Sequence, residues 1–160
     1  MENFKITSSL PNYTMEIAKA LAHLLQNGDT IVLTGELGAG KTKFVEGFLS
    51  YFGLQDEISS PTFNIVNEYK ANEINIYHFD VYRLENSDEF FAIGGEEYFD
   101  KGICLIEWGE TMKEVLPANY IQISFTKDFS DENKRILEFK AFGNTQSIIK
   151  KLKEDLNWKF

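Results

Sequence analysis

The stretch Thr30-Ile31-Val32-Leu33-Thr34-Gly35-Glu36-Leu37-Gly38-Ala39-Gly40-Lys41-Thr42 decides how this chain folds. Its first five residues form a short β-branched and apolar run, which reads as a strand buried on both faces. Gly35 to Thr42 then fits G-x-x-x-x-G-K-[ST] at every fixed position, the pattern of a phosphate-binding loop. Phe44, Val45, Phe48, Leu49 and Phe52 follow at helical spacing, and Gly53 closes the run. Strand, glycine-rich loop, helix is the order the chemistry requires. The glycines let loop N–H groups turn inward around a phosphate without Cβ clashes. The first turn of the helix adds unpaired N–H groups and the positive end of its dipole. Gly35, Gly38, Ala39 and Gly40 are expected to build the cradle, Lys41 to reach the β- and γ-phosphates, and the Thr42 hydroxyl to ligate Mg2+. Lys43 stands where such loops often carry a second small hydroxyl residue. Its backbone N–H still suits the α-phosphate, and its side chain is expected to point to solvent.

Outward from this loop, Ile17, Ala20, Leu21, Leu24 and Leu25 recur at helical spacing between Asn12 and Gln26, with Gly28 as a stop. Thr62–Tyr69 and Ile74–Tyr82 read as strands joined into a hairpin by Lys70-Ala71-Asn72-Glu73. An acidic stretch around Ser87–Phe91 reads as a short helix capped by Ser87, and Ile103–Ile106 as a central strand. Tyr120–Thr126 and Arg135–Phe142 alternate with period two and read as a terminal antiparallel pair, an edge added late. Thr145–Leu156 reads as a last amphipathic helix. Helices interleaved with buried strands give an α/β fold, expected as a three-layer domain of P-loop NTPase type with a central, largely parallel sheet and antiparallel edge strands. Residues 1–160 are expected to form a single P-loop ATPase domain.

Composition narrows the function. The chain has 160 residues, 43% of them hydrophobic, which supports a sizeable core without disulfides or metal staples. With 16 basic against 25 acidic residues its net charge is −9. Such a surface repels phosphate backbones, which makes the chain a poor candidate for gripping RNA or DNA alone; action beside a nucleic acid is expected to draw positive charge from a partner. The single cysteine, Cys104, lies in the apolar run Ile103–Ile106 and reads as a buried structural thiol suited to a reducing compartment. Met1-Glu2-Asn3-Phe4-Lys5 lacks the basic and apolar regions of a signal peptide, and no window approaches the ~18 apolar residues of a membrane span. The expected location is the cytoplasm, with no membrane contact.

Hydrolysis of a bound nucleotide needs a carboxylate for magnesium and a group to aim the water. Asp80 and Glu107 each end a strand-like run, where ligands of open α/β sheets bind. Glu107 is the stronger candidate for the metal because its strand is uniformly apolar; Asp80 shares that role or orients water. His78 lies on the face of Asp80 and reads as a structural histidine before a proton shuttle. Trp108 reads either as core or as a contact of the nucleotide site or a partner. Arg83 reads as a salt-bridge partner of the acidic 85–89 stretch, with an arginine finger in cis as the second choice. Thr62, after Ser60-Pro61, presents a hydroxyl of the kind that converts nucleotide state into loop order.

Taken together, Gly35–Thr42, Ser60-Pro61-Thr62-Phe63, Tyr77-His78-Phe79-Asp80-Val81-Tyr82-Arg83-Leu84 and Leu105-Ile106-Glu107-Trp108 resemble the TsaE (YjeE) family in order and spacing. The resemblance runs from about Thr30 to Trp108. It implies a bacterial P-loop ATPase of tRNA threonylcarbamoyladenosine synthesis that binds and hydrolyses ATP with Mg2+, weakly when alone. It implies the TsaD and TsaB subunits as partners, tRNA contacted only indirectly, and a role in resetting that complex between turnovers. Carried over by residue, Lys41 and Thr42 serve phosphate and magnesium, Thr62 is the switch hydroxyl, and Asp80 and Glu107 are the acidic pair. Lys43, where relatives often have Thr or Ser, departs from the pattern, as does Gly109 after Trp108.

Three other readings compete. A GTPase requires Asn/Thr-Lys-x-Asp for guanine, whereas Thr126-Lys127-Asp128-Phe129 has its aspartate one position early. A small-molecule P-loop kinase usually carries an arginine-rich lid, and this chain has only Arg83 and Arg135. A nucleotide-binding regulator without significant turnover would not need Thr62, Asp80 and Glu107.

Overall fold

The computed structural model describes residues 3–58, 65–81, 84–107 and 109–157. Thr62, Arg83 and Trp108, each given a role above, lie outside the described residues. The elements in chain order are β1 (Asn3–Ser8), α1 (Pro11–Leu24), β2 (Thr30–Gly35), α2 (Lys41–Tyr51), β3 (Val66–Ala71), β4 (Ile74–Asp80), α3 (Ser87–Ala92), β5 (Ile103–Glu107), β6 (Tyr120–Asp128), β7 (Asp131–Phe142) and α4 (Gln146–Asn157). Tight 3-10 turns occupy Gln55–Glu57, Gly95–Tyr98 and Gly109–Val115.

The strands form one sheet in the order β1-β7-β6-β2-β5-β4-β3. The central four, β6, β2, β5 and β4, are mutually parallel. Antiparallel pairings add β7 and β1 on one side and β3 on the other. This is the α/β architecture expected, with a parallel centre and antiparallel flanks. Because the central strands run the same way, their carboxyl ends Gly35, Asp80 and Glu107 reach one edge of the sheet.

Side-chain alternation sorts the core into two layers. Ile31, Leu33, Ile76, Ile103 and Leu105 face α1, α2 and α4, meeting Leu21, Phe44, Phe48 and Leu152. Tyr77, Phe79, Cys104 and Ile106 face the other way, under Phe90 of α3, Phe99 just after the Gly95–Tyr98 turn, and Met112 and Val115 of the last 3-10 segment. The two faces give the three layers, with α3 and the turns making a thin third one. Phe44 and Phe48 are fully buried, and Phe44 meets Phe125 of β6 edge-on at 5.5 Å. Burial of this kind contributes roughly 1.5–3 kcal/mol per side chain, so α2 is held firmly against the strands whose ends carry the candidate site. Cys104 is fully buried, with Sγ 3.5 Å from the Tyr98 carbonyl, and desolvation pushes its thiol up to about 12. It is an inert core residue, as its sequence setting implies.

Three local readings are corrected, and one strand has no reading from the sequence. The Tyr120–Phe142 pair is not the sheet edge: β6 lies against β2, and β7 is covered by β1. Only Phe4 and Ile6 mark β1 as a strand, too short a pattern to read, and its placement comes from pairing with β7 and from Phe4 stacked on Phe139 at 4.9 Å. In the β3–β4 hairpin Lys70 and Ala71 pair with Asn75 and Ile74, so the turn is Asn72-Glu73 alone. Asn72 takes φ +54°, a left-handed conformation that Asn tolerates, and Asn27 braces the turn by donating to the Glu73 carbonyl. Finally, Asn86 rather than Ser87 caps α3: its Oδ1 accepts the Glu89 N–H at 3.1 Å, while the Ser87 hydroxyl donates to Glu114. Among the described residues no helix is long and apolar enough to cross a membrane.

The closest approach of α1 and α2 depends on Gly47. A Cβ there would stand 2.5 Å from both Cα and O of Met15, and that backbone has no rotamer by which to give way. Overpacking costs about 1–3 kcal/mol, against a helix-propensity gain of about 1 kcal/mol for replacing Gly. Gly47→Ala is therefore expected to lower Tm by several degrees in a thermal melt, whereas an open helix position would gain from the same change.

Candidate functional site

The loop between β2 and α2 is shaped by its glycines at two positions above all. Gly35 adopts φ +142°, and a Cβ there would stand 2.6 Å from the Phe125 carbonyl of the neighbouring strand. Gly40, in the left-handed region at φ +110°, turns the chain into α2. Between them the Ala39 N–H donates to the Glu36 carbonyl at 3.0 Å, which closes the loop's inner turn. Below, the Thr34 hydroxyl donates to that of Ser124 at 3.0 Å and ties β2 to β6.

A cleft of about 340 Å³ opens over this loop, lined by Leu37, Gly38, Gly40, Lys41, Thr42, Lys43, Asp80, Glu107 and Arg135. Lys41 is only 5% exposed, unusual for lysine, and its Nζ donates to the Gly35 carbonyl at 2.5 Å. Thr42 is exposed at the first turn of α2. Gly35 and Ala39 lie in the loop backbone outside that lining, and Ala39 is buried beneath it. Lys43 is exposed, and its Nζ pairs with Glu46 at 2.9 Å, so its side chain turns along the helix surface.

Asp80 and Glu107 are directly paired in the register of β4 and β5. They follow Ile76 and His78 on one strand and Ile103 and Leu105 on the other, so both project toward the α2 side of the sheet. The His78 side chain, 6% exposed, meets that of Glu107, 13% exposed, with Nε2 2.9 Å from Oε2.

Sequence reasoning missed two cations. Arg135, at the start of the packed part of β7, reaches the loop: Nη2 lies 3.4 Å from the Gly38 carbonyl, and Nη1 donates to the carbonyls of Glu132 and Lys134. Its Nε is buried without a partner among the described residues. Lys127, registered opposite Arg135, brings Nζ within 3.2 Å of where a Cβ on Gly38 would stand. The hairpin carrying both is pinned by Asp128, which accepts from the hydroxyl and the N–H of Ser130 and is thereby drawn down to about 2. A chain of net charge −9 thus gathers Lys41, Lys127 and Arg135 at one loop. Among the described residues, no group of three His, Cys, Asp or Glu side chains is arranged to hold a metal unaided.

The model of the family described as "Threonylcarbamoyl adenosine biosynthesis protein TsaE" matches residues 8–136. A protein of Bacillus subtilis named tRNA threonylcarbamoyladenosine biosynthesis protein TsaE is 39% identical over 150 residues, covering 93% of this chain and 92% of its own. One of the same name from Treponema pallidum is 42% identical over 117 residues, covering 72% and 85%. The crystal structure of Bacillus subtilis YdiB superposes with a TM-score of 0.76 at 32% identity, covering 96% of both chains. Loop, sheet order and family match agree, and the chain belongs to the TsaE family.

Proposed function

We propose that this protein is the ATP-binding and ATP-hydrolysing subunit of tRNA threonylcarbamoyladenosine synthesis, and that it resets the TsaD–TsaB transferase complex between turnovers. The observation that carries the reading is the pairing of Asp80 and Glu107 across one cleft from Lys41 and Thr42. A phosphate cradle alone supports binding; a cradle facing two carboxylates supports turnover.

The residues fit Mg2+ and ATP. Carboxylate and hydroxyl oxygens suit a hard cation, and Mg2+ is usually held by one or two carboxylates together with substrate phosphates. That agrees with a site in which the described residues offer no closed cage. When bound, Mg2+ would neutralise charge developing on the phosphates. Thr42 and Glu107 would hold the ion, with Asp80 sharing its coordination or orienting water. Lys41 would exchange the Gly35 carbonyl for phosphate oxygen, and the α2 N–H groups would complete the cradle. Arg135 and Lys127 would add positive charge above Gly38. Thr62 is the proposed switch hydroxyl. The acidic surface supports a subunit that engages other proteins while they hold the tRNA.

Lys41→Ala is expected to weaken ATP binding about 10–100-fold, as a charged contact of roughly 1.5–3 kcal/mol is lost; titration with a fluorescent ATP analogue measures it, and unchanged affinity rejects the site. Glu107→Ala should lower phosphate release by about 100-fold or more while leaving affinity without Mg2+ within about threefold. Hydrolysis at the wild-type rate with partner subunits would transfer the metal role to Asp80. The function itself is tested by reconstituting threonylcarbamoylation with TsaD, TsaB and tRNA. Omitting this protein should stop product near one equivalent of complex, and equal multiple-turnover rates without it would reject the resetting role.

A further inference from the structure

Glu107 stands at the last position of β5, where the ladder that fixes the rest of the strand stops. A glutamate side chain has three rotatable bonds, so the strand end alone leaves its carboxylate free to swing. His78 supplies a restraint. It lies on β4 two residues before Asp80, faces the α2 side of the sheet and is buried. A carboxylate only accepts hydrogen bonds, so the 2.9 Å contact requires Nε2 to carry the proton and donate to Oε2. Nδ1 is buried with no partner among the described residues. A histidine retained only to fill the layer would be inferior to an aliphatic residue there, because the ring is desolvated and satisfied on one nitrogen alone. Among the described residues, the hydrogen bond its side chain makes is to the carboxylate facing the cleft.

We propose that His78 is a positioning residue for Glu107: its Nε2–H holds Oε2, fixes the carboxylate rotamer and leaves Oε1 as the oxygen available to a cation in the cleft. Hydrogen-bonded neighbours of metal ligands commonly act this way. The proposal rests on the reading of the cleft as a Mg2+-nucleotide site, and it assigns His78 no proton transfer.

The decisive comparison is wild type against His78→Leu, which keeps apolar bulk but no donor, and His78→Gln, whose amide N–H can replace Nε2–H. In His78→Leu, ATP-analogue affinity in EDTA should stay within about twofold. The Mg2+ concentration for half-maximal hydrolysis should rise and kcat fall, together by about 10–100-fold, with little change in KM for ATP. His78→Gln should recover most of the loss. Unchanged Mg2+ dependence in a folded His78→Leu overturns the proposal, as does a His78→Gln no better than Leu. A readout without nucleotide or metal comes from the 15N spectrum of the imidazole. The wild-type ring should be the Nε2–H tautomer, and Glu107→Ala should alter its shifts; an Nδ1–H ring indifferent to that change overturns the proposal even where His78→Leu fails to fold. Should wild type hydrolyse no ATP, the proposed function fails while the ring spectrum and the Mg2+ dependence of analogue binding still judge the role of His78.

Discussion

The anchoring of α2 against the sheet governs the rest of the structure. A helix N-terminus is useful to an anion only where it is held still and aimed at the bound group. Here Phe44 and Phe48 bury that helix in the core, Phe44 edge-on against Phe125 of β6, and Gly47 lets α1 press close to it. The loop then has little freedom: its first glycine is fixed by the Phe125 carbonyl and its last turns directly into the helix. The same parallel centre brings the ends of β4 and β5 to the same edge, so the carboxylates face the cradle as a consequence of strand direction.

Charge is distributed with equal economy. The surface as a whole is acidic, which suits protein contacts and discourages direct binding of polyanions. Cations are concentrated at the loop, where Lys41 comes from α2 and Lys127 and Arg135 from the β6–β7 hairpin. Coulomb attraction over a few ångströms outweighs the screened repulsion of charges beyond a Debye length of about 8 Å. On the proposed function, a small, highly charged phosphate group would be captured by a protein that a nucleic-acid backbone would avoid.

What could be read from the sequence follows from how local each signal is. Strand, loop and helix at residues 30–52 are contiguous, and the loop pattern is fixed by backbone geometry, so both fold and cradle are legible there. Asp80 and Glu107 were legible because each terminates an apolar run. That they stand side by side is a matter of register, which the sequence does not carry. Arg135 and Lys127 sit in an alternating hairpin that looks ordinary; only the parallel placement of β6 beside β2 brings them to Gly38. β1 was illegible for a related reason. Six residues with two apolar side chains become a strand only because β7 presents an unpaired edge and Phe139 a ring to stack on.

The contact between Lys41 and the Gly35 carbonyl bears on how the cradle works. A lysine buried with its charge away from water would be costly without a partner, and the loop's own backbone supplies one. Lysine, glycine conformations and helix start are thus in place through folding alone, and on the proposed function an arriving phosphate would offer Lys41 a stronger, charged acceptor. Little ordering entropy remains to oppose binding, which is the general advantage of a preorganised site. The acidic side differs: Asp80 and Glu107 stand side by side at the cleft, and their side chains extend from the last positions of β4 and β5. For the nucleotide and metal proposed above, a site prepared in this way would place the demand for precision on the carboxylate rotamers rather than on the loop.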